Sequence, residues 1–253
     1  MELFRALAVL AEPPDGPQTA RVSDALGLGT PPGASEYTET FVLQLYPYAS
    51  VYLGAEGMLG GEARARIAGF WRALGQTPPV EADHLSLLLA LYARLAELES
   101  GEGEEGRRGG WRGARKALLW EHLLSWLPVY LAKLDDIATP FYRGWGELLE
   151  EALLEEARTV GRQELLSTHL REAPAPADPR EVGAEDFLSS LLAPARSGMI
   201  LTRADLNRAA RGLNLGSRIG ERKYMLKALM GQDSDAMLGW LAEEARTCAV
   251  RHA

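Results

Sequence analysis

The sequence has very little of the chemistry on which disulfides and metal sites depend. Cys248 is the only cysteine among 253 residues, and there are four histidines. A single cysteine excludes an intrachain disulfide and every CxxC zinc or redox motif, and it suits a reducing cytosol. The cysteine count therefore argues against metal or redox chemistry as the function.

Long hydrophobic runs are also missing. The first apolar stretch, LFRALAVLA, is short, follows the acidic Glu2 and has no basic segment before it. It predicts a helix and not a secretory signal. No other segment approaches the roughly 20 apolar residues of a membrane span. We therefore expect a protein without a membrane span.

Positive charge is in short supply. The chain has 27 Lys and Arg against 35 Asp and Glu, which gives a net charge of -8. This balance argues against a protein that binds nucleic acid over its whole surface, and it leaves basic ligands as natural partners. An apolar fraction of 47% and a charged fraction of 25% are typical of a soluble globular protein.

The apolar residues follow a helical period almost throughout, and no neighbouring segments alternate as hairpin strands do. The sequence therefore predicts an all-α fold. The leucine-rich run from Leu85 to Ala96 is apolar almost all round, which predicts a central helix. Pro47 should end or bend any helix before it, and Pro128 predicts a kink. The Pro- and Gly-rich stretch 11–35 predicts a long loop with at most a short turn of helix.

Two further stretches mark breaks in the chain. The glycine-rich, charged stretch ESGEGEEGRRGGWRG, residues 99–113, predicts a mobile surface loop. The segment REAPAPADPREVGA, residues 171–184, has the composition of a semi-rigid linker. We therefore expect a main helical domain over residues 1–170 and a small helical C-terminal extension over residues 185–253.

The stretch TPPVEADH places Glu81, Asp83 and His84 at the first turn of the predicted central helix. The helix dipole alone favours carboxylates there by about 0.3 to 1 kcal/mol each, and such a histidine can be purely structural. A metal site built with His122 would lack an i, i+4 ligand pair and a fourth ligand, and no nucleophile elbow indicates a hydrolase. Carboxylates also bind guanidinium groups. Helix-start chemistry and binding of a cationic ligand both remain open.

The C-terminal part suggests a different class of function. Between residues 196 and 227 there are eight Lys or Arg against Asp205 and Glu221, a local net charge of +6. Two helices predicted here, the first opening with a capping box at Thr202, could form a helix-turn-helix whose basic face meets phosphate. The second helix, ERKYMLKALM, has no Asn or Gln to pair with adenine. A DNA-binding regulator is thus the alternative hypothesis.

The ordered set YPYASVYLG, FWRALG, PPVEADH, EHLLSWLPVYL and FYRGWGELLE resembles the TorD/DmsD/NarJ family of redox-enzyme maturation chaperones. The similarity covers roughly residues 37–157. The family's element is written Glu-Pro-x-Asp-His, and this chain departs from it at Val80 and Glu81. The segments SGMILTRADL and GER are similar to a C-terminal extension found on some members.

The resemblance implies a cytosolic, all-helical protein that has no cofactor and is not an enzyme. Such a protein binds the twin-arginine signal peptide of a molybdopterin oxidoreductase precursor and delays export until the metal cofactor is inserted. The peptide carries two adjacent guanidinium groups and an apolar segment, which need carboxylates and a groove between helices. The residues expected at the peptide site are Glu81, Asp83, His84, Tyr46, Pro47, Tyr48, His122, Trp126 and Tyr130.

Overall fold

The helical period of the sequence becomes helix almost throughout in the computed structural model, which describes residues 1–14, 16–55 and 57–251. The chain is 68% helical, and no strand occurs in these ranges. One isolated antiparallel bridge joins Tyr48 to His84. The predicted all-α fold class is confirmed.

The helices fall into two groups along the chain, with two short π-helical segments in the first. The first group is α1 (Glu2–Leu10), α2 (Pro17–Ala25), α3 (Ala34–Tyr37), α4 (Ala49–Leu53), α5 (Gly61–Ala73), α6 (Leu85–Gly101), α7 (Glu105–Ala117), α8 (Leu127–Ile137), α9 (Pro140–Val160) and α10 (Thr168–Glu172). The π-helical segments are Thr38–Gln44 and Leu118–Leu123. The second group is α11 (Ala184–Leu192), α12 (Pro194–Ser197), α13 (Arg203–Gly212), α14 (Arg222–Met230) and α15 (Ser234–Arg251).

Helix α6 is the central helix of the first group, as predicted. Leu85, Leu88, Leu89 and Tyr92 are completely buried, and α1 and α7 pack along the helix. Full burial of each leucine contributes about 1.5 to 3 kcal/mol, so this one helix supplies much of the core energy. The register of α6 therefore determines where the residues at its N-terminal end point.

Two hydrophobic clusters are present. The first extends along the chain from Phe4 to Leu153 and also includes Ile200, and the second extends from Leu188 to Leu241. The linker predicted at 171–184 lies between the residues of the first cluster, Ile200 excepted, and those of the second. The domain boundary itself stays a prediction. The last two residues of the expected extension, 252 and 253, lie outside the described residues.

The glycine-rich stretch 99–113 is not the loop that the sequence predicts. Helix α6 runs to Gly101, and the stretch from Glu105 onward forms most of α7. Each glycine costs a helix about 1 kcal/mol, but α7 is held by ion pairs to Glu99. Arg112 Nε lies 2.8 Å and Arg115 Nε 3.2 Å from the Glu99 carboxylate. These long-range contacts offset the poor helix propensity of the stretch.

The stretch 11–35 contains more helix than the sequence predicts, whereas both prolines mark helix boundaries. Residues 17–25 form nine-residue α2, longer than the single turn predicted, because Val22 and Leu26 pack against the first cluster. The π-helical segment before Pro47 ends at Gln44, as expected. Pro128 lies in the first turn of α8, where its missing N–H is not needed. The predicted kink is therefore a break between two helices.

None of the described helices combines the length and the apolar character needed to cross a bilayer. Within the described part of the chain, no three His, Cys, Asp or Glu side chains are grouped as a metal ion would require.

Candidate functional site

The N-terminal end of α6 is built around His84. This residue is the N-cap, and its ring Nδ1 accepts the backbone N–H of Ser86 at 3.2 Å. The His84 side chain is buried and packs edge-on against the Tyr48 ring, with centroids 4.8 Å apart. Burial lowers the pKa of His84, and the nearby carboxylates of Glu12, Glu81 and Asp83 oppose that shift. His84 thus shapes this corner as a capping residue.

Asp83 ties the first residues of α4 to the start of α6. Its carboxylate Oδ2 accepts the backbone N–H of Ser50 at 3.2 Å, and its carbonyl accepts that of Ala49 at 3.0 Å. The Arg64 guanidinium lies 3.8 Å from the other carboxylate oxygen. Only 2% of Asp83 is exposed. The Asp83 carboxylate is therefore already occupied by this chain, which is an arrangement typical of a structural role.

Two other carboxylates at this corner face solvent. Glu81 is exposed and accepts the Tyr48 hydroxyl at 2.9 Å. Glu12, just beyond α1, has about half of its side chain exposed and lies 3.7 Å from the His84 ring. Its carboxylate also accepts the Ser86 hydroxyl. Glu12 and Glu81 together form what we call the acidic corner, and either can accept a guanidinium group from solvent.

An apolar groove of about 520 Å³ lies next to this corner. Residues of α5, α6, α7 and the turn after α5 line it, namely Trp71, Leu74, Gln76, Leu87, Ala90, Leu91, Arg94, Leu95, Leu98 and Trp111. The indole N–H of Trp71 donates to the carbonyl of Ala82 at 3.2 Å, which joins the groove wall to the start of α6. Ser86 contacts Glu12, and the next residue, Leu87, lines the groove. Consecutive residues lie about 100° apart around a helix. The groove therefore begins near the helix end that carries the acidic corner and runs along α6 as far as Leu98.

The family comparison matches the segment that contains this helix end. Residues 32–132 match the family model described as the nitrate reductase delta subunit. The match covers 101 of the 253 residues, and over this part the chain is similar to that family. The family consists of maturation chaperones for molybdoenzymes, so the resemblance seen in the sequence is confirmed. No curated protein matches the chain.

The aromatic residues expected in a peptide groove lie elsewhere. Trp126 and Tyr130 are 2% and 0% exposed and lie inside the core, where Trp126 stacks on Tyr52 and Tyr130 packs edge-on against both rings. Tyr46 is half-buried and lines a different cavity, between the first helices and the C-terminal ones. Pro47 is buried, and its carbonyl accepts the N–H of Leu85 at 2.8 Å. The matched segment, residues 32–132, thus brings together Glu81, Asp83, His84, Pro47 and Tyr48.

His122 lies apart from that corner. It is buried between Phe70 and His169, whose ring centroids are 5.1 and 5.7 Å away. Its Nδ1 has no hydrogen-bond partner among the described residues. Burial is the main reason that the pKa of His122 falls to about 4. The ring is therefore neutral near pH 7 and is surrounded by protein.

Glu12 and the groove residues Trp71 and Trp111 were not foreseen from the sequence. Glu12 is 74 residues from Ser86, its hydrogen-bond partner, so no local spacing connects them. Trp71 does fall on the predicted apolar stripe of α5, but Trp111 lies in the stretch predicted to be a loop. An exposed acidic residue directly after an apolar helix was the only available signal for Glu12.

The basic C-terminal stretch is partly neutralised within the protein. Arg208 pairs with Asp205 at 2.9 Å, and Lys223 pairs with Glu185 at 3.0 Å. Lys227 also contacts the Glu185 carboxylate. The capping box of Thr202 and Asp205 is present at the start of α13, as predicted. The comparisons give the DNA-binding hypothesis no support.

Proposed function

We propose that this protein is a cytoplasmic maturation chaperone, and not an enzyme, that binds the twin-arginine signal peptide of a molybdopterin oxidoreductase precursor. In this role it delays export until the metal cofactor has been inserted into the precursor, while carrying no cofactor itself. The observation that carries the proposal is the exposed acidic corner beside an apolar groove, in a segment that matches a molybdoenzyme chaperone family.

The two arginines of the peptide fit the acidic corner. Glu12 and Glu81 are both exposed, and both act electrostatically on His84, which places them around the same buried ring. Two exposed carboxylates near one ring match two adjacent guanidinium groups in charge and number. Each charge-assisted hydrogen bond of this kind contributes about 1.5 to 3 kcal/mol.

The apolar segment of the peptide fits the groove between α5, α6 and α7. That segment follows the arginines in the peptide, and the groove adjoins the acidic corner on α6. Leu87 and Leu98 at either end of the groove are only partly buried, so they have apolar surface left to cover. The peptide is ordered on binding, so we expect an affinity of about micromolar, or roughly -8 kcal/mol.

Asp83 and His84 serve this site indirectly. Asp83 accepts hydrogen bonds from Ala49 and Ser50, and the His84 ring packs against Tyr48, which holds the segment from Tyr48 to Ser50 against the start of α6. Tyr48 in turn donates to Glu81. The pair therefore fixes the position of an exposed carboxylate instead of meeting the peptide. This role modifies the expectation that Asp83 itself engages the arginines.

The test is a fluorescence titration of a labelled peptide with an Arg-Arg pair and a leucine-rich segment, alongside its Lys-Lys version. We expect Glu81→Gln and Glu12→Gln each to weaken the Arg-Arg peptide by about tenfold or more. Leu87→Gln should weaken both peptides, because it places an amide in the apolar groove. Glu151→Gln on the exposed face of α9 removes the same charge away from the site and is the matched control.

Two outcomes would contradict the proposal. Equal affinity of Glu81→Gln, Glu12→Gln and the Glu151→Gln control would show that the acidic corner does not bind the arginines. Binding of the Arg-Arg peptide that is unchanged in Leu87→Gln would place the apolar segment outside the groove. Thermal melts of every variant separate loss of binding from loss of folding.

A further inference from the structure

A second cavity, of about 460 Å³, lies where the first group of helices meets the C-terminal group. Its apolar wall includes Leu43, Met58 and Leu59, and its polar wall includes Arg203, Arg222 and Lys223. The first wall comes from the family-matched segment and the second from α13 and α14, which lie beyond it. The cavity is thus formed only when the two parts of the chain are packed together.

Both walls are held in place by contacts between those parts. The N–H of Ala204 in α13 donates to the side chain of Gln44 at 3.2 Å, at the end of the π-helical segment that carries Leu43. Gly57, which precedes Met58, has φ +62, and a Cβ there would lie 2.8 Å from the Cα of Ala193. Single π-helical turns occur frequently at functional sites. The cavity is therefore a fixed feature of the fold.

The cations of this cavity are incompletely paired. Lys223 forms an ion pair with Glu185, but neither Arg203 nor Arg222 pairs with a carboxylate in the described part of the chain. Arg222 donates only to the carbonyl of Leu201, at 3.0 Å. Burial, reinforced by the neighbouring Arg203, lowers the pKa of Arg222. A partly buried guanidinium without a counter-ion is costly, and a bound anion offsets that cost.

One carboxylate, Glu221, also lines the cavity, and Glu185 pairs with Lys223, so three cationic side chains face two acids and an excess of one positive charge remains. The electrostatic preference of the cavity is therefore for an anion. That preference is opposite in sign to that of the acidic corner.

The apolar wall extends outside the cavity onto the surface. Met58 is 66% exposed and Leu59 is 55% exposed, and Val42 and Leu43 add further exposed apolar area. Contiguous apolar patches with a charged rim are typical of protein interaction sites, and methionine adapts well to different partners. A small anion would leave this patch uncovered, whereas a peptide would cover it.

We propose that this cavity binds a short segment of a partner protein in which one or more carboxylates stand next to large apolar side chains. The carboxylates meet Arg203 and Arg222, and the apolar side chains cover Met58 and Leu59. This site is separate from the twin-arginine site, and the proposal does not depend on it.

The test uses phage display of random short peptides on the immobilised full-length protein. We expect enrichment of peptides with Asp or Glu beside Leu, Phe or Trp, and loss of that enrichment on the Arg222→Gln protein. Arg218→Gln removes the same charge from an exposed residue outside the cavity and should keep the enrichment. Arg203→Gln is the second variant, because its side chain makes no hydrogen bond within the described part of the chain.

One selected peptide and its Asn/Gln version are then titrated in solution. We expect Arg222→Gln and Leu59→Ser each to weaken the acidic peptide by about tenfold, and the Asn/Gln version to bind as weakly to the unmodified protein. Equal enrichment on the Arg222→Gln and Arg218→Gln proteins, or no enrichment at all, overturns the proposal. If no acidic peptide is selected and inorganic phosphate raises the melting temperature of the unmodified protein but not that of Arg222→Gln, the cavity binds small anions instead.

Discussion

The buried His122 makes the stability of this protein depend on pH. In the folded protein its pKa falls from the ordinary value of 6.5 to about 4, mainly through burial and then through the charge of His169, while Glu121 opposes the shift. Because the folded state disfavours the protonated ring, the unfolded chain binds a proton more readily. Stability is therefore complete above pH 6.5 and is lost as the pH falls toward 4.

The size of the effect follows from the two pKa values. Near pH 5 the unfolded histidine is almost fully protonated, whereas the folded one remains mostly neutral. Linkage then gives a loss of about 2 kcal/mol between about pH 7.5 and pH 5 from this residue alone. The substitution His122→Phe keeps a planar ring against Phe70 and removes the titration. Its stability should thus fall about 2 kcal/mol less than that of the unmodified protein.

Urea unfolding followed by circular dichroism, at several pH values across this range, measures the difference. The comparison is between the two pH slopes, so a constant packing cost of the substitution does not affect it. Parallel slopes for the unmodified protein and His122→Phe would refute the reasoning and show that His122 titrates equally in both states. His169→Phe is a companion variant, because burial lowers the pKa of His169 as well.

Three further predictions concern stability. Lys133→Met should lower the free energy of unfolding in urea by about 3 kcal/mol, because the buried ammonium lies 3.2 to 3.6 Å from three carboxylates. Unchanged stability would show that these ion pairs make no net contribution. Gly57→Ala should destabilise the protein by about 1 to 3 kcal/mol and so lower its melting temperature, because the added Cβ would meet the backbone of Ala193. An unchanged melting temperature would contradict that close approach. Asp83→Asn should cost about 1 to 2 kcal/mol, and Glu81→Gln less than about 0.5, in the same urea assay. The reverse order would make Asp83 the free carboxylate of the pair.

Local sequence patterns determined the fold class and several helix ends of this protein. The period of the leucines predicted that α6 is central, and the spacing of Thr202 and Asp205 predicted the cap of α13. His84 is the N-cap of α6, as its predicted place at the helix start requires, whereas Glu81 and Asp83 precede the first turn, which contains no acidic residue. These features depend on residues within about a turn of one another, where helix geometry fixes the distances.

Only the tertiary structure decided which side chains are free to bind. Asp83 and Glu81 look equivalent in the sequence, yet packing against Ser50 buries the first and leaves the second exposed. Glu12 reaches the same corner because α1 packs along α6, and the glycine-rich stretch is a helix because distant charges hold it. Such contacts join residues far apart in the chain, and burial and charge pairing between packed helices, not local propensity, select them.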